Sequence, residues 1–223
     1  MSMSARSTIA IKNWTLPLQN ELASHNLELG NPVFFRIIKQ PSMTTSTGRL
    51  EAFVENTSGE FEFFKAWDIC NYSGDLGPKL KQGDRQPPEG FYFVTPAQLN
   101  PNSSYHLSFN LGYPNAYDRA HERTGDFLMV HGDCVSVGCY AMTDTGIEEI
   151  YTLLQSALAG GQDFVRVHAF PFPMTDENMR AVEGHKNFPF WQNLQEGWNW
   201  FETYKRPPNT EVKSKRYVFA ADR

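Results

Sequence analysis

The residues able to do covalent chemistry gather in one stretch, Val130-His131-Gly132-Asp133-Cys134-Val135-Ser136-Val137-Gly138-Cys139-Tyr140-Ala141-Met142. A cysteine attacks as its thiolate, a minor fraction of a free thiol at neutral pH, so it needs a neighbouring base such as an imidazole. The apolar run Phe127 to Val130 predicts a buried strand that delivers His131 to a sheet edge, and Cys139 returns eight residues later. Gly138 carries no side chain, so a substrate carbonyl can come close. The N–H groups of Gly138 and Cys139 then form a candidate oxyanion hole. The same residues also fit two plainer roles. One is a small buried thiol beside a strand-ending histidine. The other is a Cys134–Cys139 disulfide, which would quench the nucleophile. The six histidines show neither HExxH nor paired spacing, so neither a metal nor another cofactor is expected.

The elements that must position these groups read mostly as strands. Strands are expected at 33–38, 50–55, 61–64, 67–71, 90–94, 105–111, 127–131 and 164–170, from β-branched and aromatic runs bounded by turn residues. Two strong helices follow the site. One is capped by Thr145 with Glu148 and carries Ile147, Ile150, Tyr151, Leu154 and Leu158 on one face. The other spans 188–204, with Trp191, Leu194, Trp198 and Phe201 packing together. A shorter helix is expected at 175–182 and a strand pair at 210–220. Near the start, Thr15 and Pro17 predict a helix that Gly30 ends. The segment from Gly74 to Gly90 is a long loop carrying Lys79, Lys81, Asp84 and Arg85; loops of that length in a domain are usually functional. About eight strands to one long helix before Pro171 predict a mainly β domain, a sandwich or barrel, with an α-helical C-terminal appendage.

Composition narrows the function classes. The chain has 223 residues, 40% of them hydrophobic, which suits one globular domain with an extension. Its net charge of −5, from 20 basic and 25 acidic residues, provides no excess for a phosphate backbone, so nucleic acid is not an expected partner. No apolar run reaches the ~20 residues of a membrane helix. Three cysteines are too few for a disulfide scaffold, and their odd number leaves at least one thiol free or paired elsewhere. Met1 to Asn13 has no cationic start followed by an apolar stretch, so it does not read as a leader.

His131-Gly132 followed by Ser136-x-Gly138-Cys139 resembles the signature of the L,D-transpeptidase (YkuD-type) cysteine enzymes of bacterial cell walls. In that family a strand ending in His-Gly precedes a Ser/Thr-His-Gly-Cys box. Pro88-x-Gly90-x-Tyr92 is similar to the family's Pro-x-Gly-x-Phe/Tyr element. Ile69 to Gly74, Gly77-Pro78-Lys79, Gln82-Gly83-Asp84, Tyr113 to His121 and Gly138 to Thr143 resemble one divergent branch. That branch contains murein L,D-transpeptidase-like proteins, among them the enzyme that detaches Braun's lipoprotein from peptidoglycan. The chain departs from the general box at Val137, which replaces the second histidine, at Ala141, where many members have Arg or Asn, and in a shorter His131-to-Cys139 gap.

The resemblance implies a catalytic domain at 30–172, an N-terminal extension at 1–29 and a helical appendage at 173–223. It makes Cys139 the nucleophile and His131 its base, with the Gly132 carbonyl orienting the imidazole and Ser136 as the box hydroxyl. The thiolate would attack the carbonyl at the L-centre of meso-diaminopimelate in a stem peptide. Water as acceptor gives lipoprotein release or L,D-carboxypeptidase action; an amine gives transpeptidation or lipoprotein attachment. A non-catalytic wall-binding domain is the rival reading. Substrate carboxylates call for a cation, and Arg119 is the first candidate with Lys79 the second. Asp118 is expected to hold Arg119 or cap a turn, and Tyr117 and Tyr72 to line the groove or sit in the core. The implied partners are peptidoglycan stem peptides and murein-linked lipoprotein. The implied location is the periplasm, with the chain read as a mature form whose Met1 was supplied for expression. Cys70 and Cys134 flank the site or form a bridge.

Overall fold

Val33 to Ile38 is apolar except for Arg36, a pattern that suits a strand covered on both faces. In the computed structural model, which describes residues 3–41 and 47–221, all six of these residues are buried. Met1, and the expectation that rests on it, lies outside the described residues. The order of elements is α1 (Ala5–Ser24), β1 (Val33–Ile38), β2 (Gly48–Glu55), β3 (Phe61–Ile69), β4 (Gly90–Val94), β5 (Leu99–Asn100), β6 (Ser108–Asn110), α2 (Ala116–Ala120), β7 (Met129–His131), β8 (Tyr140–Ala141), α3 (Asp144–Ala159), β9 (Val165–Phe170), α4 (Asp176–Ala181), α5 (Phe188–Tyr204), β10 (Asn209–Lys213) and β11 (Arg216–Ala220).

Two open sheets carry the fold. The larger runs β3-β2-β1-β9-β4, antiparallel except for the parallel β1–β9 pair. The smaller runs β5-β6-β7-β8, with β7 and β8 parallel. Alternation along β1 splits its side chains. Val33, Phe35 and Ile37 enter a core shared with α1, α3 and the smaller sheet, where Phe35 stacks on Phe109 at 6.3 Å. On the other face Phe34 meets Phe201 of α5, and Ile38 joins Phe170, Trp191 and Trp198. The domain is therefore mixed α/β. The mainly β sandwich or barrel expected from strand counting is corrected: α1 and α3 complete the main core, and neither sheet closes among the described residues.

Local differences have local causes. α1 starts ten residues before Thr15, because Ser4 and Ser7 form a reciprocal capping box. Thr15 instead sits mid-helix, its hydroxyl donating to the Ile11 carbonyl, and Pro17 is held inside the helix. α3 is capped by Thr143, not by Thr145. The strands expected at 61–64 and 67–71 are one strand, β3, with a register shift opposite Ala52 and Phe53.

Lys39, at the end of β1, and Glu89, just before β4, form an ion pair at 3.0 Å with both side chains fully buried. Lys39 Nζ donates to the Gly77 carbonyl at 2.8 Å, and Glu89 accepts Gly77 N–H at 2.7 Å and Trp191 Nε1–H at 2.9 Å. Burial pushes the Lys39 ammonium below its ordinary value, and Glu89 opposes that shift. Lys39→Met leaves an unpaired buried carboxylate and should cost about 3–5 kcal/mol. Lys39→Met with Glu89→Gln removes the buried charge but turns the amide NH2 against the N–H of either Gly77 or Trp191, so it should recover only part of the loss in urea denaturation.

His168 of β9 is buried between Phe34 and Phe91, at ring distances of 4.6 and 4.7 Å, and its Nδ1 has no hydrogen-bond partner among the described residues. Burial, with Arg166 and Arg36 nearby, pushes its pKa well below the ordinary value. An unfolded imidazole takes its proton near about pH 6.5. Below that pH the unfolded chain binds more protons than the folded one, so stability falls as the solution is acidified. His168→Phe should flatten this acid-side loss in thermal melts between about pH 6.5 and 4.5.

Candidate active site

The parallel β7–β8 pair sets Val130 beside Tyr140 and His131 beside Ala141. Cys139 directly precedes Tyr140 of β8, two residues before the position that pairs with His131. His131 is 3% exposed. Its Nδ1 donates to the Gly132 carbonyl at 2.7 Å, which leaves Nε2 as the basic atom. Tyr105 packs on the imidazole at 4.8 Å. Gly132 is required at its position, since a Cβ there would come within 2.7 Å of Asp144 Oδ1 and 2.9 Å of His106 Cβ. The Asp144 carboxylate also accepts Asp133 N–H at 2.8 Å, tying the turn after His131 to the start of α3.

Cys139 is the free cysteine, half-buried; Cys70 and Cys134 form a disulfide with Cα atoms 5.5 Å apart. The bridge, rather than the Cys134–Cys139 alternative, accounts for the odd count. The thiol opens on a cavity of about 300 Å³ whose walls include Lys79, Arg85, Asp126, Phe127 and Val137. Its hydrogen-bond neighbour is the Phe127 carbonyl at 3.9 Å, not the imidazole. Burial raises the thiol pKa, and the Met129 backbone and the Lys79 charge pull it back. Burial lowers the His131 pKa. Both shifts favour a neutral thiol and a neutral imidazole at rest.

The expected oxyanion-hole donors are both engaged. Gly138 N–H donates to Ser73 Oγ at 2.8 Å, and Cys139 N–H donates to Ser136 Oγ at 2.9 Å. Ser136 Oγ–H in turn donates to the Cys139 carbonyl at 2.7 Å. Gly138 has φ +91°, in the region that favours glycine, and lies against the backbone of Arg85 and Gln86.

The expected substrate-binding residues divide. Lys79 lines the cavity, but it is buried and its ammonium is bound to Asp84 at 2.6 Å and to the Lys81 carbonyl at 3.1 Å. Tyr72 is half-buried, outside the thiol cavity, and donates to the Lys39 carbonyl at 2.9 Å. Tyr117 is buried, stacked on His121 and Tyr217, each at 4.3 Å. Asp118 is buried and accepts from Arg123 at 2.8 Å, Tyr92 OH at 3.0 Å and Asn115 N–H at 3.1 Å. Asp118 therefore holds Arg123 and caps α2, and does not hold Arg119. The reciprocal Asn115–Asp118 cap turns residue 118 inward. Arg119 is exposed on α2, away from the thiol cavity, and its guanidinium donates to the Pro114 carbonyl.

Sequence reasoning missed Ser73, Arg85, Asp126 and Phe127. The sign available was the long loop with Asp84 and Arg85 beside Gly83: Asp84 accepts the N–H groups of Leu80, Lys81 and Gln86 and fixes the loop opposite Gly138.

Alkylation of Cys139 by iodoacetamide should accelerate through pH 9 and beyond, following the raised thiol pKa. A full-rate plateau at neutral pH would instead reveal a resting thiolate–imidazolium pair. Thiol titration of the unfolded, unreduced protein should find one of the three cysteines.

The chain is 45% identical over 191 residues, 85% of its length and 74% of theirs, to proteins named "Putative L,D-transpeptidase YafK" in Escherichia coli K12 and O157:H7. Among solved structures it is similar to the helical cell shape determining protein Pgp2 of Campylobacter jejuni, with a TM-score of 0.46 and 15% identity, covering 91% of this chain and 80% of that one. It is also similar to Bd1075 of Bdellovibrio bacteriovorus, with a TM-score of 0.38 and 19% identity, covering 75% and 57%. No protein-family model matches the chain.

Proposed function

The chain belongs to the L,D-transpeptidase family, and from that premise we propose that it is a peptidoglycan-modifying cysteine enzyme working through an acyl-thioester on Cys139. The observation that supports this reading is a free thiol open to a cavity, directly before the strand β8 whose parallel neighbour β7 ends at the buried His131. His131 Nε2 takes the thiol proton as sulfur bonds to the carbonyl carbon at the L-centre of meso-diaminopimelate. The Gly132 carbonyl holds the other ring nitrogen protonated. The oxyanion competes for the N–H groups of Gly138 and Cys139, since a charged acceptor outbids the neutral hydroxyls of Ser73 and Ser136. The carbon–nitrogen bond then breaks, and His131 returns the proton to the leaving amine. Water attacks the thioester with His131 again as base, which frees a carboxylate and restores the thiol.

Hydrolysis is favoured over transfer because Val137, 74% exposed, stands where the family's second histidine would face an acceptor. The reading covers lipoprotein release and L,D-carboxypeptidase action. The disulfide fits an oxidising compartment, so the proposed location is the periplasm. Among the described residues no helix is long and apolar enough to cross a membrane.

Digestion of sacculi bearing attached lipoprotein, followed by mass spectrometry, tests the proposal. Released lipoprotein or shortened stems are expected, new cross-links would mark a transferase, and no change would leave only a wall-binding role. Cys139→Ala should abolish turnover while keeping the fold; an active variant would refute the thioester. Because His131 must be neutral to accept the thiol proton, kcat/KM should fall as pH drops through its lowered pKa, on the acid side of about 6.5.

A further inference from the structure

The Gly132 carbonyl fixes one atom of the His131 imidazole. A ring tethered at one atom can still turn about its side-chain torsions, and Tyr105 opposes that. Its ring lies on the imidazole, with centroids 4.8 Å apart and planes at 38°. Its carbonyl accepts Gly132 N–H at 3.0 Å, a donor shared with the Leu107 carbonyl at 3.2 Å. One residue therefore touches both the imidazole and the glycine that orients it.

Tyr105 is itself held from two helices. Its N–H donates to Ser103 Oγ at 3.0 Å. Arg6 of α1 donates to the Ser103 carbonyl at 2.9 Å and to the His106 carbonyl, so it grips the chain on both sides of Tyr105. His106 has φ +63°, a left-handed conformation that a non-glycine residue holds only when its surroundings fix it. What fixes it is α3: His106 Nε2 lies 2.7 Å from Glu148 Oε1, and the other oxygen of that carboxylate accepts Trp14 Nε1–H of α1 at 3.0 Å. Asp144 of α3 lies 3.9 Å from His106 Nδ1 and accepts Asp133 N–H. Segment 103–106 is thus clamped by α1 and α3 against the turn at His131 and Gly132. The Tyr105 ring gains little from burial, being 46% exposed, and its hydroxyl has no hydrogen bond among the described residues. Covering the imidazole is the role its contacts leave for the ring.

We propose that Tyr105 is a positioning residue for His131, its ring holding the imidazole in the orientation and tautomer that leave Nε2 free to take a proton. This rests on the reading of His131 as base for Cys139 and extends it to the residue that covers the base. The ring also keeps water from one face of the imidazole. That burial lowers the His131 pKa, while the Gly132 carbonyl and the Asp133 charge act in the raising direction. His106, with Glu148 and Asp144, stands behind Gly132.

Imidazole nitrogen and Cε1–H signals of His131 in NMR read its tautomer and its titration without any turnover. The wild-type protein should show the Nδ1–H form and a midpoint below the ordinary value of about 6.5. Tyr105→Ala removes the ring and keeps the carbonyl. Its midpoint should move up towards the ordinary value, and a share of the Nε2–H form should be present. Tyr105→Phe keeps the ring and should match the wild type. Arg6→Gln, which frees the segment from α1 and leaves Tyr105 in place, should move the signals in the same direction by less. On stem tetrapeptides, Tyr105→Ala should lower kcat about 10-fold or more with KM unchanged, the scale of a misplaced catalytic group. The acid limb of its kcat/KM profile should shift up with the midpoint, and Tyr105→Phe should restore both. Unaltered His131 signals in Tyr105→Ala and Arg6→Gln, or a Tyr105→Phe as impaired as Tyr105→Ala, would overturn the assignment. Altered His131 signals alongside a wild-type protein without turnover would keep the role of Tyr105 and refute the thioester enzyme.

Discussion

The fold and its site converge on the buried pair of Lys39 and Glu89. A fully desolvated ion pair is a poor source of net stability, because desolvation of two charges offsets most of their attraction. What it provides is position. Its hydrogen bonds reach the end of β1, both backbone groups of Gly77 and the indole of Trp191 on α5. Three segments distant in sequence must therefore arrive together before either charge is satisfied. The long loop from Gly74 to Gly90 leaves and returns through this point, so its geometry is fixed at the base even though its tip is exposed. Tyr140 reinforces the same corner by donating to the Pro88 carbonyl at 2.7 Å, which couples the loop to the strand that carries Cys139.

The site inherits its chemistry from that rigid corner. A loop held at its base can place Ser73 and Arg85 against Gly138, and the hydroxyl of Ser73 keeps the amide before Cys139 oriented. Burial favours the neutral forms of both Cys139 and His131. On the proposed mechanism, charge would develop only when a carbonyl is under attack, where charge-stabilising donors do the most for the barrier. A thiol held neutral at rest is thus compatible with the proposed nucleophilic role. In an oxidising compartment it is also less exposed to adventitious oxidation.

Much of this was legible in the residues. The run at 33–38, apolar but for Arg36, and the stripe of Trp191, Leu194, Trp198 and Phe201 each express a local rule, and each element formed where that rule put it. The misreadings came from choosing between competing local signals. Thr15 with Pro17 looked like a helix start, yet Ser4 with Ser7 makes a better cap and packing of α1 on α3 tolerates the proline. Arg119 looked like a carboxylate receptor because α2 was not seen; once Asn115 and Asp118 cap it, the arginine faces away from the thiol. The partners of Cys139 were hardest to find. Phe127 reaches it directly, and Ser73 and Arg85 reach the preceding Gly138, through loop geometry, which follows from no periodicity.

The disulfide shows why the segment between histidine and cysteine needs help from outside. Asp133 and Cys134 both adopt left-handed backbone, at φ +69° and +51°, and each such residue costs roughly 1–2 kcal/mol. The turn is nonetheless required, because eight residues must carry the chain from the end of β7 back to a parallel neighbour. Bonding Cys134 to Cys70 at the end of β3 closes a sequence separation of 64 residues. A closure of that length restricts the unfolded chain by about 4 kcal/mol, comparable with the strain of the two left-handed residues together. Two of the three cysteines thus hold the turn that leads from His131 to the third, and the odd count follows from the architecture: one bridge and one free thiol.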